Sequence, residues 1–252
     1  LPASPEFDRL RIVLVATRNP LNIGAAARAM SNFGFSHLRV VNPYEEAFRE
    51  ARSGVGASAV LTRAEQYTTV AEAVADCTLV VGTTAGRHRE LQHPLRRLEN
   101  GARLIRKQLA SSRVALLFGS EKVGLSNQDF SHCHWLIRIP TREQHISMNL
   151  GQAVAVCVYE LVRKAGAAPE PEQASKKPGD KQPLATACEV ERVTAMVVDL
   201  LRASAYMSPS RAPATEEKVR RLLRRLKLSA HDAELWLGIL RQIAWKLSSG
   251  HS

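Results

Sequence analysis

Three stretches of this 252-residue chain place small and polar residues directly after a compact apolar run. In parallel sheets ligands collect at the carboxyl ends of strands, so each stretch is a candidate binding edge. The first is Asn19-Pro-Leu-Asn-Ile-Gly-Ala-Ala-Ala-Arg28, after the apolar run Arg11–Ala16. Gly24 and Arg28 lie four residues apart, so on a helix the guanidinium projects beside a point of close backbone approach. An ordinary helix cap at Asn22 and a solvated Arg28 would account for the same residues. The second stretch, Leu116-Leu-Phe-Gly-Ser-Glu-Lys-Val-Gly-Leu-Ser126, carries Gly119 and Gly124 around Glu121. Such a loop can turn its amides toward a ligand. In the third, Ile139-Pro-Thr-Arg-Glu-Gln-His-Ile-Ser-Met-Asn149, a polar segment enters a helix that Ser147 or Asn149 can cap. The uncapped amides of that helix start suit anionic or polar groups.

Other chemistries fit poorly. Lys122 precedes Gly124, the wrong spacing for a phosphate-binding P-loop, and no apolar strand leads into Gly54-Val-Gly56 as a dinucleotide fingerprint requires. His132-Cys133-His134 are adjacent just before a strand, where neighbouring side chains point apart, so no metal is expected there. The four cysteines form no C-x-x-C pair, which argues for a reducing, cytoplasmic setting and against a disulfide framework. No run of about 18 apolar residues is present, so a spanning helix is excluded. Leu1 to Phe7 lacks the apolar core of a secretory signal and reads as a lead-in outside the fold.

The elements that must position these stretches alternate. Strands are expected at 11–16, 38–41, 79–81, 114–118 and 135–139, and helices at 22–33, 64–75, 102–109 and 150–162, with Asn22 as the first helix cap. Strands that are apolar throughout and separated by helices indicate an α/β fold with a parallel sheet covered on both faces. Residues 166–184, rich in proline and mixed charge, read as a linker. Beyond it, 185–204 and 216–247 are helical with no strand signal, so 185–252 forms a small all-α extension.

The net charge is +11, and 26 of the 35 basic residues are arginine, whose planar fork suits phosphate. A compositional bias would scatter arginine along the chain, but here it clusters. Arg87, Arg89, Arg96 and Arg97 lie in one group; Arg220, Arg221, Arg224 and Arg225 lie in a ten-residue run, 218–227, that contains no acid. Both clusters are expected to contact RNA. Aromatic residues make up only 5% of the chain, so backbone and shape recognition fits better than base stacking.

Taken in order, N-x-G-A-x-x-R at 22–28, F-G-S-E-x-x-G-L at 118–125 and I-P-x(6)-S-x-N-x(3)-A-V at 139–154 resemble the three motifs of the SpoU/TrmH branch of the SPOUT superfamily. The resemblance covers residues 9–165. The tail is similar, more loosely, to the C-terminal extension of the TrmJ-type tRNA methyltransferases. The resemblance implies a parallel-sheet SPOUT domain with a C-terminal trefoil knot, working as a homodimer. It implies a methyl donor, S-adenosyl-L-methionine (AdoMet), that leaves as S-adenosyl-L-homocysteine, with no metal. By motif position the donor's pocket would be lined by Thr83, Thr84, Ala85, Gly119, Ile139, Ile146, Ser147 and Met148. The implied reaction is 2′-O-methylation of RNA, with tRNA favoured and an anticodon-loop cytidine or uridine as the target; rRNA, or an inactive RNA-binding protein, is the alternative. Arg28 would carry the chemistry, with Asn22, Glu121, Ser147 and Asn149 in support.

Overall fold

The computed structural model describes residues 5–53, 59–86, 92–163 and 182–249. Gly54-Val-Gly56, Arg87, Arg89 and most of the expected linker therefore lie outside the described residues. The first part of the chain runs β1 (Leu10–Val15), α1 (Pro20–Asn32), β2 (Leu38–Val41), α2 (Glu45–Ser53), α3 (Ala59–Thr62), β3 (Glu65–Tyr67), α4 (Val70–Ala73) and β4 (Leu79–Thr83). It continues through β5 (Leu95–Arg97), α5 (Leu98–Leu109), β6 (Val114–Phe118), α6 (Asn127–Ser131), β7 (Trp135–Arg138) and α7 (Leu150–Arg163). The tail is α8 (Ala187–Ala203), α9 (Ala212–Leu226) and α10 (Ala230–Ser249).

The seven strands form one sheet in the order β3-β2-β1-β6-β4-β7-β5, and every pairing is parallel. Successive side chains on a strand point to opposite faces, so a strand covered on both must be apolar at every position. In β1, Ile12 and Leu14 pack with Ile23 of α1, Ile105 of α5 and Val154 of α7. On the opposite face Val13 and Val15 pack with Val70 of α4 and Phe130 of α6. Two glycines let helices approach closely. A Cβ on Gly101 of α5 would lie 2.6 Å from Ile137, and one on Gly151 of α7 would lie 2.6 Å from the Ala25 Cβ of α1.

The expected α/β sheet is present, with several differences in detail. Residues 64–75 are not one helix. Glu65–Tyr67 pairs as an edge strand beside β2, and α4 is a single turn opened by a Thr69/Glu72 capping box. The polar helix α2, with only Ala47 and Phe48 buried, and the three-residue exposed edge strand β5 have too few apolar residues to be read in advance. The first helix begins at Pro20, and its cap is Asn19, whose side chain accepts from the Leu21 N–H; Asn22 already lies inside the first turn. The expected helix 216–247 is two helices. Lys227 adopts a left-handed conformation (φ 50°) and Ser229 caps the next helix, its Oγ accepting from the Asp232 N–H at 3.0 Å.

The tail docks on the α/β part of the same chain. The first amides of α8 donate outward, Ala187 N–H to the Cys77 carbonyl at 2.7 Å and Cys188 N–H to that of Ala75 at 3.0 Å. This satisfies donors that a helix start otherwise leaves open. The tail keeps its own small core, in which Val190, Val193, Leu223, Leu237 and Leu240 pack together.

The docking corrects one expectation. Arg220 and Arg224, expected to reach RNA, are buried at 8% and 1% exposure. Arg220 donates through Nε to Glu191 at 2.9 Å and through Nη2 to Glu216, and Arg224 Nη2 donates to Glu191 and to the Ala187 carbonyl. The acid-free run 218–227 faces its counter-charges across the helix pair and one turn upstream. Arg96, Arg97 and Arg225 remain exposed, and Arg221 is half-buried with Gln92 and Glu217. Among the described residues no helix is long and apolar enough to cross a membrane.

Candidate active site

Three neighbouring parallel strands, β6, β4 and β7, end side by side. Strands sit about 4.8 Å apart, so the loops that leave these three ends must crowd together. Between them lies a cavity of about 340 Å³. Every residue placed by motif position around the methyl donor lines it: Thr83, Thr84 and Ala85 after β4, Gly119 after β6, and Ile139, Ile146, Ser147 and Met148 after β7. Leu150 and Ala153 of α7 complete an apolar wall that the motif reading missed; their spacing of three, which puts them on one helix face, is the signal.

The loop after β6 folds back on itself. Gly124 N–H donates to the Ser120 carbonyl at 2.9 Å, and Gly124 takes φ +72°, a conformation few side chains tolerate. A Cβ on Gly119 would stand 2.0 Å from the Gly124 carbonyl carbon, so only glycine fits there. Across the cavity Thr83 Oγ1 donates to the Leu117 carbonyl at 2.9 Å and Gly86 N–H donates to Thr84 Oγ1, fixing the loop after β4. Thr141 Oγ1 donates to the Ile146 carbonyl at 3.2 Å and pins the loop after β7; no motif had pointed to it.

β1 lies beside β6, which brings the start of α1 to the loop at Glu121. Asn22 Nδ2 donates to Glu121 Oε1 at 3.0 Å, and Asn22 Oδ1 accepts from Asn149 Nδ2 at 2.7 Å. Asn149 Oδ1 in turn accepts from the Gly151 N–H at 2.9 Å and the Gln152 N–H at 3.4 Å. Asn149, not Ser147, therefore caps α7, and two of the amides expected to face a ligand are already engaged. The result is a polar chain, Glu121–Asn22–Asn149, that ties all three motifs together at the cavity edge. Arg28 stands on α1 beyond this chain. It is exposed, with no hydrogen bond or ion pair to Glu121 within this chain. Among the described residues no group of three or more His, Cys, Asp or Glu side chains could hold a metal.

Residues 9–159 match the SpoU rRNA Methylase family. The chain belongs to that family. Among its relatives is the tRNA (cytidine/uridine-2'-O-)-methyltransferase TrmJ of Sodalis glossinidius, 34% identical over 94% of this chain and 92% of the relative. The protein of the same name from Yersinia pestis (strain Pestoides F) is 35% identical over the same shares. The crystal structure of TrmJ from Z. mobilis ZM4 superposes with a TM-score of 0.78 at 32% identity, covering 93% of this chain and 98% of that one. Family membership rests on the α/β part, whereas likeness to the TrmJ proteins extends through the helical tail.

Proposed function

We propose that this chain methylates the ribose 2′-oxygen of a cytidine or uridine in tRNA, using AdoMet. The observation that carries this reading is the convergence of all three motifs on one cavity, joined by the Glu121–Asn22–Asn149 chain. The family's description points to rRNA, but similarity to the TrmJ proteins includes the tail, and this favours tRNA.

The cavity suits the donor. Its size falls near the lower end of small-ligand sites, its walls are apolar at Ile139, Ile146 and Met148, and the Gly119 cradle would be filled by any Cβ. Bound there, AdoMet supplies an already activated methyl group on a sulfonium. The residues of the chain then have two tasks, to hold the ribose oxygen in line and to assist loss of its proton. A guanidinium keeps its proton throughout the pH range in which proteins stay folded, so Arg28 does not act as a literal base. It clamps the neighbouring phosphate and stabilises the charge that develops on the 2′-oxygen, while phosphate or water takes the proton. Asn22, Glu121 and Asn149 hold the loops in register, and Ser147 faces the cavity beside the ribose.

In this reading 9–165 is the catalytic domain, knotted as in the family, and 185–252 is an RNA-binding extension joined by 166–184. The protein works as a homodimer in the cytoplasm, and Arg87, Arg89, Arg96, Arg97, Arg221 and Arg225 contact RNA phosphates.

Transfer of labelled methyl from AdoMet to purified tRNA and rRNA tests the proposal, with the modified nucleotide then mapped. tRNA is the expected acceptor; exclusive labelling of rRNA would overturn that choice. Arg28→Ala should lower turnover by about a hundredfold or more, the size of effect seen on removing a donor to a developing oxyanion, with AdoMet affinity kept.

A further inference from the structure

A second cavity, of about 500 Å³, opens between the α/β part and the tail. It is larger than the first and shares no residue with it. The starts of β4 and β7, helix α5, the β5 segment and the α9–α10 turn surround it. Its lining has an unusual charge balance. Arg96, Lys107, Arg224, Arg225 and Lys227 all line it, and among the described residues it has no carboxylate. Cations facing one space repel each other, an arrangement that an anion relieves.

Two groups on the lining sharpen this, one buried and one half-buried. Arg224 is 1% exposed, and among the described residues its Nε and Nη1 have no hydrogen-bond partner, although its Nη2 is engaged by Glu191 and Ala187. Buried N–H groups left without partners cost free energy, and a guanidinium more so. His134 accepts the Val80 N–H through Nδ1 at 3.0 Å, so in the neutral ring the proton sits on Nε2. That leaves a neutral donor on the lining.

The rest of the wall is apolar: Leu79, Leu104, Trp135 and Leu223 line it, and the Arg96 guanidinium lies 5.6 Å from the centre of the Trp135 ring. A flat cation over an aromatic ring beside aliphatic walls suits a planar heterocycle, and the surrounding cations suit a phosphate.

We propose that this interdomain cavity is a separate binding site for a phosphorylated nucleoside, with the base against the Trp135–Arg96 wall and the phosphate among Arg224, Arg225 and Lys227. The nucleoside comes either free or as one unit of an RNA strand. The site stands on its own lining, independently of the methyl-transfer reading.

The test uses the full-length chain saturated with S-adenosyl-L-homocysteine, so that the first cavity is closed to nucleotides. Cytidine monophosphate, cytidine and inorganic phosphate are titrated calorimetrically. The monophosphate is expected to bind one per chain, with cytidine and phosphate each at least about tenfold weaker. The exposed pair Arg96→Glu with Arg225→Glu should weaken the monophosphate by more than about tenfold while the melting temperature holds. No measurable binding, or binding indifferent to the double variant, overturns the proposal. Competition by a short 5′-phosphorylated RNA identifies an RNA unit as the occupant, and binding without competition identifies a free nucleotide. If S-adenosyl-L-homocysteine itself fails to bind, the methyl-transfer reading is lost, yet the Arg96→Glu with Arg225→Glu variant still tells whether the nucleotide occupies the second cavity, since neither residue lines the first.

Discussion

Asn149 serves two structures at once, and this makes it the most informative single position in the candidate site. Its Oδ1 accepts from the first amides of α7, and its Nδ2 donates to Asn22, which holds Glu121. Asn149→Asp separates the two roles. A carboxylate still caps the helix, so stability should change by less than about 1 kcal/mol. The donor to Asn22 Oδ1 is lost, however, and two oxygens then oppose each other. Methyl transfer should fall at least tenfold while the thermal midpoint barely moves; normal turnover in this variant would mean that the polar chain has no catalytic part. Gly119→Ala should abolish AdoMet binding in an equilibrium titration, because its Cβ has no space beside Gly124. The motif residues were legible because each sits directly after an apolar strand, where neighbours in the sheet force their loops together. The cap of α1 was misplaced at Asn22, although a signal for Asn19 was present: Pro20 suits the first helical position, which makes the residue before it the cap. The burial of Arg220 and Arg224 was not legible. Their partner Glu191 lies on another helix about thirty residues earlier, and no local period connects them.

That ion group ties α8 to α9 and reaches α6 of the α/β part. Glu191 lies between Arg220 and Arg224, and Arg220 also reaches Ser131 of α6 at 3.4 Å. Burial works to raise the Glu191 carboxyl, but the two guanidinium groups hold it below its ordinary range. Removing the acid leaves Arg224 buried without a carboxylate beside Arg220, which keeps Glu216, a change that typically costs about 3–5 kcal/mol. Glu191→Ala should therefore release α9, seen as faster proteolysis within 212–226 and a lower thermal midpoint. Substituting all three residues with apolar side chains of similar volume should recover much of the loss, because well-packed apolar groups often replace a buried ion group without cost. If Glu191→Ala leaves proteolysis unchanged, apolar packing around Val193 and Leu223 alone holds the helix. At this scale the long helices and central strands were legible from their apolar stripes. The edge strands β3 and β5 were not, since three residues, mostly exposed, are too few to show a period and are held as strands by their neighbours.

Across the whole molecule, three histidines are held neutral. His132 is pushed down to about 4 and His134 to about 3, each by burial first and then by nearby charge, with Arg224 acting on both. His93 is likewise lowered to about 4, by burial and by Arg221. In the unfolded chain all three titrate near 6.5. Between about 6.5 and about 4 the unfolded state therefore binds more protons than the folded one, and stability falls as the pH falls. The contribution is complete above the unfolded value and is lost progressively toward the folded ones. Asp76, held down to about 2 by Arg39, acts in the same direction but only below the ordinary carboxylate range. Loss near pH 5 therefore belongs to the histidines. The urea midpoint should be clearly lower at about pH 5 than at about pH 7.5. His132→Leu, which removes one of three proton-binding groups, should reduce the pH slope in that window by about a third. Two of these histidines flank the junction with the tail, so the acid-induced loss should first appear as proteolysis of α9. A midpoint that stays level between the two pH values would show that the imidazoles are already accessible to protons in the folded chain.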